Sequence, residues 1–157
     1  MSKITPYLWF DSQAEEAAGF YVSLFKNSKI LNVTRVENSG PQEDMTVAVV
    51  NFELDGREFT AFNGGPFFKF NEAISLNVDC ADQAEVDRLW EQLSAGGEVQ
   101  QCGWLKDRFG LSWQIVPSRL VELMQDPDPV KAGRVTHAML QMIKIDIEEL
   151  EKAYRGD

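Results

Sequence analysis

Residues 4–21 read ITPYLWFDSQAEEAAGFY, a short apolar stretch followed at once by an amphipathic one. Ile4–Phe10 is rich in β-branched and aromatic residues and predicts a strand. Asp11-Ser12 supplies side chains of the kind that cap helices. In Gln13–Lys26 the apolar residues recur every three or four positions, which predicts a helix. The stretch therefore predicts a strand that is joined to a helix by a short, capped turn.

The residues after this helix predict three further strands, which complete a βαβββ unit. Asp55-Gly56 separates the last two of them and is typical of tight hairpin turns. The predicted strands are Lys29–Glu37, Met45–Leu54 and Arg57–Asn63, with a loop at Asn38–Asp44. Gly64-Gly65-Pro66 then interrupts the pattern and ends the unit.

The same order of elements begins again 70 positions later, where Ser12–Glu15 (SQAE) recurs as Asp82–Glu85 (DQAE). The second unit is predicted to contain a strand Ala73–Cys80, a helix from Ala81-Asp82 to about Ala95, a strand Glu98–Lys106 in one piece or two, a turn at Asp107–Gly110 and a strand Leu111–Val116. A repeat of this kind indicates that each unit buries a face against the other. We therefore expect an α+β fold of two tandem βαβββ modules, residues 1–117, with the modules at about 1–65 and 72–117.

Residues 118–157 differ in character and are termed the C-terminal extension. Leu120, Val121, Leu123 and Met124 suggest a short helix that ends at Asp126-Pro127-Asp128-Pro129. Val130–Ile143 and Asp146–Tyr154 have the spacing of two further amphipathic helices. We expect these helices to cover apolar surface, either on their own chain or on a partner chain.

Composition excludes several classes of partner. The 157 residues include 15 Lys and Arg against 25 Asp and Glu, a net charge of −10, which argues against nucleic acid and anionic membranes. No apolar run approaches the roughly 18 residues of a membrane span. Two cysteines are too few for a disulfide framework, and the N-terminal residues do not resemble a signal peptide. We therefore expect a cytoplasmic protein.

Three segments resemble landmarks of one protein family. Residues 4–21, FNGGPFFKFNEAISLNV at 62–78 and CGWLKDRFGLSWQIVP at 102–117 are similar to the PhnB-like family, also catalogued as 3-demethylubiquinone-9 3-methyltransferase. That family belongs to the vicinal-oxygen-chelate superfamily of glyoxalases and bleomycin resistance proteins. KAGRVTHAMLQMIKIDIEELEKAY at 131–154 resembles the family's C-terminal helices, so the resemblance spans essentially the whole chain.

The resemblance implies cup-shaped, mixed sheets with helices on the convex faces and a ligand or metal on the concave ones. Enzymes of the superfamily place four metal ligands on the first and last strands of both modules. Strand alternation and the hairpin positions locate the equivalents at Thr5, Thr60, Ala73 and Gln114. Only Gln114 is a ligand type used there, and transition metals prefer imidazole, thiolate or carboxylate. The single histidine, His137, lies in the C-terminal extension, so neither a metal nor another cofactor is expected.

Ligand contacts are expected on the concave faces. Along the first strand, alternation turns Pro6, Leu8 and Phe10 toward the helix. The candidate ligand-binding residues are Thr5, Tyr7, Trp9, Thr60, Phe62, Asn77, Trp104 and Gln114. Aromatic walls with a few polar groups suit a small planar or apolar ligand, although the same rings can also fill a core. Two phenylalanines of Phe67–Phe70 are expected to anchor the linker between the modules.

Three functions are consistent with these residues. The first is metal-free binding of a small molecule by a homodimer. The second is an enzyme for a small carbonyl or aromatic substrate, with Glu58 as the base if burial raises its pKa; an exposed rim position is the alternative for Glu58. The third is a structural or interaction module with a filled cup. No glycine-rich loop follows the first strand to seat S-adenosylmethionine, so the catalogued methyltransferase activity is not expected.

Overall fold

The structure is a computed structural model that describes residues 3–37 and 47–157. The chain divides into two compact units between Phe70 and Asn71. The first unit contains β1 (Tyr7–Phe10), α1 (Ala14–Leu24), β2 (Lys29–Val36), β3 (Val47–Leu54) and β4 (Arg57–Asn63). The predicted loop Asn38–Asp44 and the predicted start of the third strand, Met45-Thr46, lie outside the described residues.

The first sheet has the strand order β1-β4-β3-β2, with β1 parallel to β4 and the other pairs antiparallel. Alternation along β3 buries Ala48, Val50 and Phe52 on one face. The helix contributes a buried stripe to the same core, which consists of Ala14, Ala17, Ala18, Tyr21 and Leu24. The rings of Tyr21 and Phe52 lie 6.5 Å apart. The period of two on the strand and the helical period on α1 therefore build one core.

Asp55-Gly56 forms the predicted two-residue hairpin turn. Both residues have positive φ, 48° at Asp55 and 79° at Gly56, as a type I′ turn requires. Leu54 pairs with Arg57 directly across the turn. The turn is confirmed, and it sets the register of the whole β3–β4 pair.

The second unit repeats this order with β5 (Ser75–Cys80), α2 (Gln83–Ser94), β6 (Glu98–Val99), β7 (Trp104–Lys106) and β8 (Ser112–Pro117). Its strand order, β5-β8-β7-β6, is the counterpart of the first, and β5 is parallel to β8. The predicted α+β fold of two βαβββ modules with open, curved sheets is therefore confirmed.

The two helices begin in different ways. Asp82 accepts a hydrogen bond from Glu85 N at 2.9 Å, while the Glu85 carboxylate accepts one from Ala81 N at 3.1 Å, a reciprocal capping box. In α1, by contrast, no local side chain caps the helix, so the predicted cap by Asp11-Ser12 is wrong. Asn63 at the end of β4 accepts the bond from Ala14 N instead, at 2.9 Å.

Asp107 organises the turn between β7 and β8. It is 2% exposed, and its carboxylate accepts three hydrogen bonds. The donors are Phe109 N at 2.9 Å, Leu111 N at 3.1 Å and Trp113 Nε1 at 2.9 Å. Burial of a carboxylate is tolerated when such bonds replace those to water. The predicted turn is confirmed.

The C-terminal extension forms α3 (Ser118–Met124), α4 (Pro129–Leu140) and α5 (Ile147–Arg155), which confirms the three predicted helices. Their shared core consists of Leu120, Leu123, Val135, Ile145 and Leu150. Val116 of β8 packs against this cluster, so the extension covers apolar surface on its own chain. Among the described residues, no helix combines the length and apolar character needed to cross a membrane.

Hydrogen bonds also join the extension to the second module. The Gln83 side chain of α2 donates to Ile145 O at 3.0 Å and accepts from Ile147 N at 2.8 Å. Cys102 N donates to Met142 O at 2.8 Å. Since Gln83 satisfies the first turn of α5, the extension and the second module form one unit.

Candidate functional site

The face of the first sheet opposite α1 carries Tyr7, Trp9, Phe62 and Phe68, which are termed the aromatic group. Trp9 lies edge-on to Phe62 and Phe68, with ring centroids 5.2 and 4.9 Å apart and interplanar angles of 72° and 84°. Tyr7 adjoins Phe62 at 6.0 Å. Tyr7 and Phe68 are 65% and 67% exposed, and Trp9 and Phe62 are half-buried. The rings therefore contact one another without forming a closed core.

The indole of Trp9 is held by the two glycines that follow β4. Its Nε1 donates to Gly65 O at 2.9 Å. Its ring lies directly over Gly64, where a Cβ atom would be 2.4 Å from the nearest ring carbon. Gly64 N in turn donates to Phe10 O at 2.8 Å and continues the pairing of β1 with β4. Gly64-Gly65 therefore positions the ring as well as ending the module.

A polar pair lies beside the aromatic group. Thr60 is paired with Tyr7 on one side and with Asn51 on the other. The Asn51 amide donates to Thr60 Oγ1 at 2.9 Å, and Thr60 is 1% exposed. Asn51 was not among the residues predicted from the sequence. Its alternation with Val49 and Glu53 along β3 was the signal that places it on this face.

The alternation predicted for the first strand holds within β1. Leu8 and Phe10 are buried, whereas Tyr7 on the opposite face is exposed. Pro6 precedes the strand and is exposed, so it adds nothing to the core, and its predicted face stays a prediction. Thr5 also precedes β1 and is half-buried. The burial pattern therefore confirms the alternation for Tyr7, Leu8 and Phe10.

Glu58 does not meet the condition for a buried catalytic base. It is exposed near the start of β4, directly opposite Glu53 of β3. The base hypothesis required burial to raise the pKa of this carboxyl group. The alternative, a solvated position at the rim, is confirmed.

Two phenylalanines anchor the linker after the first module, as expected. Phe68 contacts Trp9, and Phe70 lies 5.3 Å from Phe10 at an interplanar angle of 72°. Phe67 is 61% exposed. The part that Phe68 plays in the aromatic group was not predicted, because a linker has no period that assigns its side chains to a face.

The face of the second sheet opposite α2 carries amides and a hydroxyl group. Gln114 of β8 pairs with Asn77 on one side and Trp104 on the other. Its Nε2 donates to Ser75 Oγ at 2.9 Å, and its Oε1 accepts a long bond from Asn77 at 3.5 Å. Asn77 is exposed, and Gln114 and Trp104 are half-buried. Three of the predicted residues are thus neighbours on one face.

The Ser112 hydroxyl lies on the same face, two residues before Gln114 in β8. Ser112 pairs with Ser75 and Lys106 in the sheet register. Its Oγ is buried and has no hydrogen-bond partner among the described residues. Lys106 forms an ion pair of 2.9 Å with Glu72, which lowers the pKa of that carboxyl group. Buried hydroxyls are normally bonded, so Ser112 is a position where a buried water molecule would find a partner.

The register corrects one of the four positions equivalent to the superfamily's metal ligands. Thr5 lies two residues before Tyr7, the residue that pairs with β4. The equivalent position in the second sheet, two residues before Asn77, is Ser75. The counterpart of Thr5 in this register is Ser75 and not Ala73, so the assignment of Ala73 is wrong. The corrected set is Thr5, Thr60, Ser75 and Gln114.

Three hydroxyls and one amide do not fit the metal used by the superfamily's enzymes. Zinc and similar ions take imidazole, thiolate or carboxylate ligands. Throughout residues 3–37 and 47–157, no three side chains of His, Cys, Asp or Glu are grouped so that they could hold a metal ion. His137 is exposed on α4. The four positions therefore do not reproduce the superfamily's metal site.

The sequence profile of the family described as 3-demethylubiquinone-9 3-methyltransferase matches residues 2–116. The chain belongs to this family. A solved Bacillus cereus PhnB protein, described as a 3-demethylubiquinone-9 3-methyltransferase, is 34% identical, with a TM-score of 0.68. The match covers 74% of this chain and 100% of that one. No curated protein matches the chain.

More distant structures share the PhnB-like fold. Protein PA1353 from Pseudomonas aeruginosa is 20% identical, with 74% of this chain and 98% of that chain covered and a TM-score of 0.58. The fosfomycin resistance protein FosX from Listeria monocytogenes is 15% identical, with 77% and 94% covered and a TM-score of 0.52. These likenesses show that the fold is shared.

The family resemblance is shorter than expected. The profile ends at residue 116, one residue before the end of β8. The Bacillus cereus chain is covered along its whole length, yet it accounts for 74% of this chain. Both matches therefore end before the C-terminal helices, and the resemblance expected there stays a prediction.

Proposed function

We propose that this PhnB-like protein binds a small organic molecule on the open faces of its sheets, without a transition metal. The observation that carries the proposal is the aromatic group, four contacting rings that stay partly exposed beside the Thr60–Asn51 pair. Rings with a few polar groups beside them are typical of small-molecule sites. The second sheet has polar side chains of its own on its open face, Asn77 and Gln114.

The exposure of the rings favours binding over the two alternatives. A filled cup would bury Tyr7, which is 65% exposed. An enzyme for a carbonyl or aromatic substrate would need an acid or base, and the candidate Glu58 is solvated. Thr5, Thr60 and Ser75 offer hydroxyls where a metalloenzyme would have metal ligands. Binding is therefore the function that these side chains support best.

The test is a thermal-shift screen of metabolites and divalent metals against three proteins: the native chain, Trp9→Leu and Trp90→Leu. Trp90 lies on α2, which packs on the opposite face of the second sheet from Asn77 and Gln114, and serves as the matched control. A ligand of the native state must raise the melting temperature. We expect at least one organic compound to stabilise the native chain and Trp90→Leu but not Trp9→Leu. Stabilisation of all three by zinc, nickel or manganese alone would contradict the proposal.

The family's methyltransferase description leads to a separate expectation. β1 is followed by Asp11, Ser12 and Gln13, without the glycine-rich turn that seats a nucleotide-like cofactor. S-adenosylmethionine should therefore leave the melting temperature unchanged. A saturable rise with its concentration would show that methyl transfer has to be considered.

We also propose that the protein is a homodimer in which residues 1–117 bind the ligand and 118–157 stabilise the second module. Each module leaves large apolar side chains exposed, with Ile4 at 84% and Phe67 at 61% in the first unit and Ile74 at 71% in the second. Exposed apolar side chains of this size are typical of interaction surfaces. Light scattering at micromolar concentration should give twice the 17.8 kDa of the chain. A mass of one chain would refute the dimer without affecting the binding proposal.

A further inference from the structure

The aromatic group presents ring faces and ring edges on one side of the first sheet. Trp9 meets Phe62 at 72° and Phe68 at 84°, so adjacent rings stand nearly perpendicular. Tyr7 is tilted by 57° from Phe62. In an edge-to-face pair, one ring presents its face where its neighbour presents its edge. The faces carry partial negative charge, which attracts cations.

Carboxylates lie on the same face of the first sheet. Glu58 and Glu53 are directly opposite each other, one step along the strands from Thr60 and Asn51. Lys29 is paired with Glu53 at the edge of the sheet, so the line of three charged residues has a net charge of −1. Arg35 points to the other face, where it binds Glu15 of α1. The face therefore combines ring faces with an excess of negative charge.

We propose that the ligand of the aromatic group is a small organic cation, a quaternary ammonium or a protonated amine. The inference rests on the proposed function and names the ligand class for the first sheet. A neutral planar compound could also stack on the rings, but it would gain nothing from Glu53 and Glu58. The net charge of −10 attracts a cation to the protein and repels an anion.

The experiment compares cations with their neutral carbon isosteres. The protein is titrated with choline and, separately, with 3,3-dimethyl-1-butanol. A second pair consists of tetramethylammonium and 2,2-dimethyl-1-propanol. The indole N–H signal of Trp9 is followed by NMR in each titration. Absence of one signal in Trp9→Phe assigns the resonance. We expect a saturable shift with the cations and at least tenfold weaker binding of the isosteres.

Matched variants separate a local carboxylate effect from net charge. Glu58→Gln should weaken choline binding about three- to tenfold, because it removes a negative charge from the face of the sheet that carries the rings. Glu91→Gln changes the net charge equally, but Glu91 is exposed on α2, and its effect should be below twofold. Tyr7→Leu should weaken the cation more than the isostere.

Equal affinities for cation and isostere would overturn the inference, and so would equal effects of Glu58→Gln and Glu91→Gln. Absence of any Trp9 shift with every cation would overturn it as well. In each case the proposed function is judged separately, by the metabolite screen with Trp9→Leu. A neutral compound that binds at Trp9 would leave the proposed function standing and refute the cation.

Discussion

The two sheets of this PhnB-like chain share one topology, yet they differ in strand length and in what stabilises them. β2 and β3 of the first sheet have eight residues each, and an apolar core under α1 holds them. β6 and β7 of the second sheet have two and three residues. There the buried Asp107 and the C-terminal extension supply interactions that such short strands cannot. Both modules thus bury an apolar core, and the second adds the polar anchor at Asp107 and the apolar cluster of the extension.

The faces opposite the helices differ as well. Thr60 in the first sheet and Gln114 in the second occupy equivalent positions in β4 and β8. Thr60 lies next to aromatic rings, whereas Gln114 is hydrogen-bonded to Ser75 and to Asn77. The repeat therefore preserves the order and pairing of strands but not the side chains on the faces opposite the helices. Those side chains would determine which ligand each face binds.

The largest effect is expected at the turn of the second sheet. Asp107→Asn replaces one acceptor oxygen by an NH2 group, so the amide cannot accept from both backbone N–H groups and Trp113 Nε1. A buried donor without a partner should lower the free energy of unfolding by about 2–4 kcal/mol. Urea titration measures the loss. Asp55→Asn, in the exposed turn of the first sheet, should change it by less than about 0.5 kcal/mol. Similar effects at both turns would show that the two modules are stabilised alike.

A smaller effect is expected beneath Trp9. Gly64→Ala places a methyl group 2.4 Å from the indole ring, so the ring must move. We expect a loss of about 1–3 kcal/mol in unfolding free energy, with a shifted Trp9 indole N–H signal. Gly19→Ala, in α1 with no atom within 4 Å of the new methyl, should instead stabilise by about 0.5–1 kcal/mol. An unchanged indole signal in Gly64→Ala would mean that the glycine does not position the ring.

The anchoring of the extension is tested at Gln83. Gln83→Ala removes the bonds to Ile145 O and from Ile147 N and should cost about 1–2 kcal/mol. Hydrogen exchange at the Ile147 amide should accelerate. Gln92→Ala, at an exposed position of the same helix, is the control and should have little effect. If both variants exchange alike, the extension is held by its apolar core alone.

The smallest effect concerns pH and the extension. The Tyr154 hydroxyl donates to Asp126 Oδ2 at 2.7 Å, which lowers the pKa of Asp126. A lowered pKa in the folded state adds stability above the unfolded value of about 4, and the contribution is lost as pH falls through the folded value. The native chain should therefore melt slightly higher than Tyr154→Phe at pH 7. The difference should shrink in melting curves as the pH falls below about 4. A difference that stays constant throughout the acid range would exclude this linkage.

Local signals predicted most of the secondary structure. Arg57–Asn63 was predicted to its terminal residues, because the Asp55-Gly56 turn and the alternation of β4 agree. The strand Glu98–Lys106 was left as one piece or two, and it is two, since Cys102 and Gly103 have positive φ and break the pairing. The helix starts were not predictable from the local sequence alone. Asp82–Glu85 (DQAE) caps α2, whereas the similar Ser12–Glu15 (SQAE) does not cap α1.

The candidate site was predicted in part. Strand alternation assigned Tyr7, Trp9, Thr60 and Phe62 to the concave face, and the first sheet brings them together. Asn51 was missed although it follows the same period. Phe68 and the glycine support of Trp9 had no local signal, because both depend on a linker that folds back onto β1.

The sequence by itself determined the repeat, the order of strands and helices, and the side-chain types available at the superfamily's metal positions. These follow from periodicity and turn chemistry, which act over a few residues. Only the tertiary structure decided that Asn63 caps α1, that Ser75 rather than Ala73 is the counterpart of Thr5, and that Glu58 is solvated. Those outcomes depend on strand register and on burial, and both are set by residues distant in the chain.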